Sequence, residues 1–162
     1  ALGDALAIAT MRQREFNKKD FKQLHPAGSL GAQLKTVEDI MLKDNLIPFV
    51  DENLRIKDAL KVLSKKKLGF LLVRDKKRFT RGILTDGDLR RYSQKNQNMH
   101  NIAIKKIMKK NPIGIDKNEL AAKALALMAN KNITSLCVYH KKNKLKTVGV
   151  LHIHNILQSN IS

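Results

Sequence analysis

Apolar positions fall in short, separated sets along this chain, and the sets occur twice in the same order. An apolar segment holding Ile40 and Met41 is matched later by one holding Ile107 and Met108. Each is followed by a proline, Pro48 or Pro112, beside a brief extended stretch (IPFV, NPIGI). Next, Ile56, Ala59, Leu60 and Leu63 recur at helical spacing, as do Leu120, Ala121, Ala124, Leu125 and Met128 in the second set. Two β-type runs follow each helix, GFLLV and FTRGIL first, SLCVY and KTVGVL second. Basic turns, RDKKR and HKKNK, separate them. A last helix is expected to start at Thr85 and again at His152.

The two sets form a duplication. VEDIM (37–41) recurs as IKKIM (104–108), DALKVLSKKKLGFLLV (58–73) as KALALMANKNITSLCV (123–138), and GILTDGDL (82–89) as GVLHIHNI (149–156). Three blocks keep their order and nearly their spacing, the mark of an internal repeat. Each repeat predicts a β-α-β-β-α unit, so the fold class is mixed α/β (α+β). A unit of about 60 residues is marginal alone, and the two are expected to pack together. The expected organisation is 37–102 for the first repeat and 103–162 for the second. Residues 1–36 differ. ALGDALAIATMRQREF predicts the end of a helix, apolar on one face and basic towards its C-terminus. HPAGSLG (25–31) is Pro/Gly punctuation before another short helix. This region reads as the cut end of a longer protein.

Composition narrows the classes. The 162 residues are 43% hydrophobic, enough for a packed core. Aromatics are 4% and Trp is absent, so that core is aliphatic. No apolar run approaches the ~20 residues needed to cross a bilayer, and no signal peptide is visible. A single cysteine, Cys137, excludes an internal disulfide. These features together predict a cytoplasmic protein without membrane contact. The formal charge of +18 points to an anionic partner. However, the lysines are spread over the whole chain among many asparagines, as compositional bias alone would produce.

Candidate chemistry sits at the two strand–helix junctions. In Thr85-Asp86-Gly87-Asp88, a hydroxyl and a carboxylate three residues on are suited to capping free backbone N–H groups. The same carboxylate is also suited to accepting hydrogen bonds from both hydroxyls of a ribose, and the helix start favours a neighbouring phosphate. Both readings remain open. Arg90 and Arg91 follow on that helix, as phosphate-binding groups or as a solvated face. Six arginines lie in 37–102 and none in 103–162. In the second repeat His152 and Asn155 replace Thr and Asp, so that junction lacks a carboxylate. His152 and His154 are too few for a structural zinc site; capping or packing is the plainer role, and no metal is expected. His25, beside Pro26 and Gly28, reads from its surroundings alone as a loop histidine.

The duplicated unit with TDGDLRR at its junction resembles a CBS domain, and two in tandem resemble a CBS pair, or Bateman module. The preceding GDALAIA (3–9) and DFKQLHPAGSLG (20–31) look like the seam between a sugar isomerase (SIS) domain and a CBS pair. That arrangement is similar to the KpsF/GutQ-like arabinose-5-phosphate isomerases, which interconvert ribulose 5-phosphate and arabinose 5-phosphate for the lipopolysaccharide sugar Kdo. The family usually has Gly where Ala27 stands and Asp where Asn155 stands. The resemblance implies that Thr85 and Asp88 contact a nucleotide in the cleft between repeats, with Arg90, Arg91, His152 and Asn155 as further candidates. It implies that His25 belongs to an isomerase site of which this chain lacks the rest, so the chain alone is expected to be catalytically silent.

The expected function is therefore regulatory nucleotide binding, with CMP-Kdo or AMP, ADP or ATP as ligand and no cofactor required. The resemblance also implies a homodimer through the CBS helices and a tetramer of the full-length enzyme. A ligand-free dimerising scaffold is the alternative. Nucleic-acid binding through the lysine excess is disfavoured by the scarcity of aromatics for base stacking.

Overall fold

The computed structural model describes residues 34–159. The helix read in 1–16, the segment 25–31 and His25 lie outside the described residues. The β-α-β-β-α order appears twice, as the duplication predicted. In the first repeat it runs β1 (Phe49–Asp51), α2 (Ile56–Lys66), β2 (Phe70–Arg74), β3 (Thr80–Thr85) and α3 (Asp86–Lys95). In the second it runs β5 (Gly114–Asp116), α4 (Ala121–Lys131), β6 (Ser135–Tyr139), β7 (Gly149–His152) and α5 (Ile153–Gln158). Two short lead elements precede them, helix α1 (Val37–Ile40) and strand β4 (Lys109–Lys110).

The amphipathic helices form where the spacing placed them. In α2, Ile56, Ala59 and Leu63 are buried while Lys57, Lys61 and Lys65 are exposed. The helix stops at Lys67, which takes a left-handed φ of 56° and bonds its N–H to Leu63 O. Helix α4 buries Ala121, Ala124, Leu125 and Met128 and stops in the same way at Asn132, φ 54°. Leu120 departs from the predicted apolar face. It is the cap residue before α4, with extended backbone, and is 43% exposed. The run KTVGVL also forms strand only from Gly149. Residues 143–147 leave the sheet, and Leu145 O accepts a hydrogen bond from Thr80 N at 2.8 Å.

The chain forms two compact units. One contains 43–113 and Asn143–Thr147; the other contains Gly114–Lys142, the chain from Val148 onwards and the lead segment up to Leu42. In the first, the sheet order is β1-β2-β3-β4, parallel between β1 and β2 and antiparallel elsewhere. In the second, β5 pairs parallel with β6 and β6 antiparallel with β7, in order β5-β6-β7. Each unit has its own aliphatic core, built around Ile56, Leu71, Leu84 and Ile104 in one and Leu125, Met128, Leu136 and Leu151 in the other.

These units are not the contiguous stretches 37–102 and 103–162: each repeat's lead segment packs in the unit of the other. Val37 is fully buried in the core of the 114–159 unit, and its N–H donates to Glu119 O at 2.8 Å. Leu42 bridges Val150 with hydrogen bonds in both directions, 2.8 and 3.0 Å. Reciprocally, Ile104 is fully buried in the 43–113 core and donates to Leu54 O at 2.9 Å, while Lys109 pairs with Ile83 on the open edge of β3. An uncovered strand edge leaves unpaired backbone groups; the lead segments supply the partners.

Candidate functional site

Among the described residues, a dense polar arrangement lies at the β3–α3 junction of the 43–113 unit. The strand ends at Thr85, whose extended backbone (φ −100°, ψ 160°) makes it the cap of α3. Asp88 N–H donates to Thr85 Oγ1 at 3.1 Å. In return Thr85 N–H and Thr85 Oγ1 donate to Asp88 Oδ2 at 3.1 and 2.8 Å. This reciprocal capping satisfies backbone N–H groups at the helix start, which have no partner inside the helix.

The other carboxylate oxygen faces two cations. Arg91 Nη2 lies 2.6 Å from Asp88 Oδ1, one helical turn on, and Lys109 Nζ lies 3.1 Å from the same atom. Lys109 reaches it from β4, so the lead segment contributes to the junction. The Asp88 side chain is only 8% exposed, whereas those of Arg91 and Lys109 are 65% and 66% exposed. Burial pushes the Asp88 carboxyl up, but hydrogen bonds from the Thr85 hydroxyl and N–H, then from Lys109 and Arg91, outweigh it and hold the group below its ordinary value. Asp88 is thus an anion with all its near acceptor positions occupied. Arg90, also a sequence candidate, is exposed and outside this cluster; one residue along a helix turns the side chain about 100° away.

The β7–α5 junction of the 114–159 unit repeats the backbone geometry without the charge. His152 caps α5. Its N–H donates to Asn155 Oδ1 at 2.9 Å, and His154 N–H donates to His152 Nδ1 at 3.2 Å. The His152 and His154 rings stack with centroids 4.7 Å apart. The structure therefore brings Thr85, Asp88 and Arg91 together in one unit, and His152 and Asn155 together in the other. Lys109 had no signal in its local sequence. Only the position of its segment on β3, rather than beside the second repeat, brings it to Asp88.

Matching glycines allow the lead segments to seat. A Cβ at Gly82 would lie 2.9 Å from Lys109 O and press on the Met108 side chain. A Cβ at Gly149 would lie 3.0 Å from Leu42 O and press on Met41. The glycine of GIL and GVL and the methionine of VEDIM and IKKIM are contact partners across the exchange. Among the described residues, no helix is long and apolar enough to cross a membrane.

The duplicated β-α-β-β-α units are CBS domains: the chain belongs to the CBS domain family, whose model matches residues 37–95 and 104–161. It is a CBS pair. Its sequence is 37% identical, over 161 residues, to arabinose 5-phosphate isomerase KdsD of Escherichia coli K12, covering 99% of this chain and 48% of that protein. An uncharacterized protein of Rickettsia prowazekii, RP505, is 37% identical over 162 residues, covering 100% of this chain and 49% of its own. The chain thus spans about half the length of the curated relatives it matches. Solved structures with the same fold include CBSX2 in complex with AMP, with TM-score 0.66, 22% identity, and 78% of this chain and 96% of that one covered. Another is the CBS domain pair of MJ0100 in complex with 5′-methylthioadenosine and S-adenosyl-L-methionine, with TM-score 0.67, 23% identity, and 77% and 94% covered.

Proposed function

We propose that this CBS pair is the regulatory, nucleotide-binding part of an arabinose-5-phosphate isomerase in Kdo and lipopolysaccharide biosynthesis, acting in the cytoplasm. The observation that carries this reading is the Thr85–Asp88 junction, with an ionised carboxylate on the first turn of α3 and two exposed cations beside it. A ribose would give its hydroxyls to Asp88 Oδ1 in place of Arg91 and Lys109, Thr85 would keep the carboxylate aimed, and the helix start would favour the phosphate. His152 and Asn155 would offer a weaker, uncharged counterpart. The kinship with KdsD supports the isomerase context, in which His25 would belong to the catalytic site. CBS relatives crystallised with AMP and with S-adenosyl-L-methionine support an adenine nucleotide. CMP-Kdo, which carries a ribose, a phosphate and a carboxylate, is the other candidate. Binding would regulate the enzyme only by favouring one of two states.

One feature supports a second reading. Every near acceptor position of Asp88 is occupied from within the chain, so the junction is complete without a ligand, in keeping with a scaffold that dimerises through its helices. Thermal unfolding of the chain with CMP-Kdo, CMP, AMP, ADP and ATP separates the two. A ligand at 100 times its Kd adds about 2.7 kcal/mol. The sensor reading expects a shift of several degrees for one nucleotide, lost in Asp88→Asn. No shift for any of them overturns it in favour of the scaffold.

A further inference from the structure

The excess charge is not shared evenly between the two units. In sequence the lysines are spread over the whole chain, but the crossed packing sorts them. The unit of 43–113 and Asn143–Thr147 holds 21 Lys and Arg against 7 Asp and Glu, a net +14. The described residues of the other unit hold 6 against 4, a net +2. Two crossing segments widen the gap: the lead segment brings Lys105, Lys106, Lys109 and Lys110, and the arm 143–147 brings Lys144 and Lys146. A bias towards lysine in composition would load both units alike. A net charge of magnitude about 2–8 suffices to keep a small domain soluble. The 43–113 unit goes well beyond that and carries the self-repulsion that follows, which an anionic surface would relieve.

Part of this charge is gathered at one place. The arm leaves the sheet of its own repeat and lies against the start of β3. There Thr80 N–H donates to Leu145 O at 2.8 Å, and the Thr80 and Thr147 hydroxyls are 2.6 Å apart. Thr80 directly follows the β2–β3 turn, so the arm sits next to the segment holding Lys76, Lys77 and Arg78. These three, with Lys144 and Lys146, are exposed and have no ion-pair partner among the described residues. The turn's carboxylate, Asp75, is already engaged: it accepts from Phe79 N–H at 3.0 Å and lies 2.7 Å from Arg81 Nε. Between Lys144 and Lys146 stands Leu145, 43% exposed and part of neither core.

Charge alone would suit any polyanion; two features favour a lipid surface. Four of the five cations are lysines, point charges suited to a fluid array of headgroups rather than to bidentate recognition. Leu145 also has a place there, at the boundary between headgroups and acyl chains, with the flanking lysine heads in water. The arm has no aromatic side chain on which a nucleic-acid base would stack. Among the described residues no helix is long and apolar enough to cross a membrane, but that bears on spanning; docking on a surface needs no such helix.

We propose that the turn 75–79 and the arm 143–147 form a docking surface for an anionic lipid bilayer. Lys76, Lys77, Arg78, Lys144 and Lys146 meet the headgroups, and Leu145 inserts between them. The attachment is reversible and places the 43–113 unit against a negatively charged leaflet.

Co-sedimentation of the chain with vesicles tests this. Vesicles of phosphatidylglycerol and phosphatidylcholine in equal parts should retain the chain, and phosphatidylcholine alone should not. Raising salt from about 0.1 M to about 1 M shortens the screening length from about 10 Å to about 3 Å and should release it. Each cation near an anionic surface contributes about fivefold to partitioning, so Lys144→Gln with Lys146→Gln should weaken binding about 25-fold. Leu145→Asn should weaken it about fivefold, with no change in retention on duplex DNA. All three side chains are exposed, so the variants should fold, which their unfolding midpoints verify. No preference for the anionic vesicles, or a preference undiminished by the double lysine substitution, overturns the proposal. If Leu145→Asn lowers vesicle and DNA binding equally, or lowers neither, the surface is a general polyanion site and the lipid assignment falls. The surface lies at the start of β3 and the Thr85–Asp88 junction at its end, so its failure leaves the nucleotide reading standing.

Discussion

Thr85 and Asp88 hold each other in both directions: the Asp88 N–H donates to the Thr85 hydroxyl oxygen, and that hydroxyl and the Thr85 N–H both donate to one oxygen of the Asp88 carboxylate. A lowered carboxyl pKa makes this linkage dependent on pH. The stabilisation is complete above the unfolded value and is lost as pH falls through the folded one. Asp88→Asn should therefore be less stable than the unsubstituted chain at neutral pH, by about 1 kcal/mol, the usual worth of a cap. The gap should narrow below roughly pH 4, near the reference Asp value. Urea unfolding of both proteins at pH 7 and pH 3 measures it; a gap that widens on acidification would contradict the assignment.

Gly82 and Gly149 face a backbone carbonyl and a methionine of the lead segments. Alanine at either site should cost about 1–3 kcal/mol, the range for overpacking. Met108→Ala should recover only part of the loss in Gly82→Ala, because Lys109 O remains 2.9 Å from the new Cβ. Denaturant midpoints of the single and double variants give the comparison.

Ile104 is fully buried in the 43–113 core although it lies in the second sequence repeat. Ile104→Ala should cost about 2–5 kcal/mol and speed hydrogen exchange in β2 and β3. Val37→Ala should instead speed exchange in β6 and β7. Exchange that increases in the variant's own sequence repeat would refute the crossed packing.

Cys137 is 5% exposed, in the middle of β6. Its thiol should react with a neutral disulfide reagent only as fast as the chain opens. Stopped-flow labelling in water should be slow, and in denaturant immediate.

Much of this architecture was legible in the sequence because it depends on local periodicity. The buried stripe of α2, the starts of the last helices at Thr85 and His152, and the duplicated order of elements all follow from spacing and caps. Leu120 was misplaced because helical spacing extends one residue past a cap without any change in hydrophobicity. The departure of residues 143–147 from the β7 run depends on a hydrogen bond to Thr80, a residue far away in sequence. Of the candidate site, Thr85, Asp88 and Arg91 were visible as a motif. The partnership of Lys109 with Asp88 was not, because it follows from which repeat the lead segment joins, and IKKIM looks equally suited to either.

The crossed lead segments bear on how such a chain could have arisen. A single repeat on its own would carry a lead segment shaped for its twin and would leave its own β3 edge open. Two copies of that ancestor would complete one another by trading these arms. Duplication and fusion of the gene would then have turned an exchange between molecules into one within a single chain. The two methionines, each resting on the other repeat's glycine, mark where such an exchange would have closed.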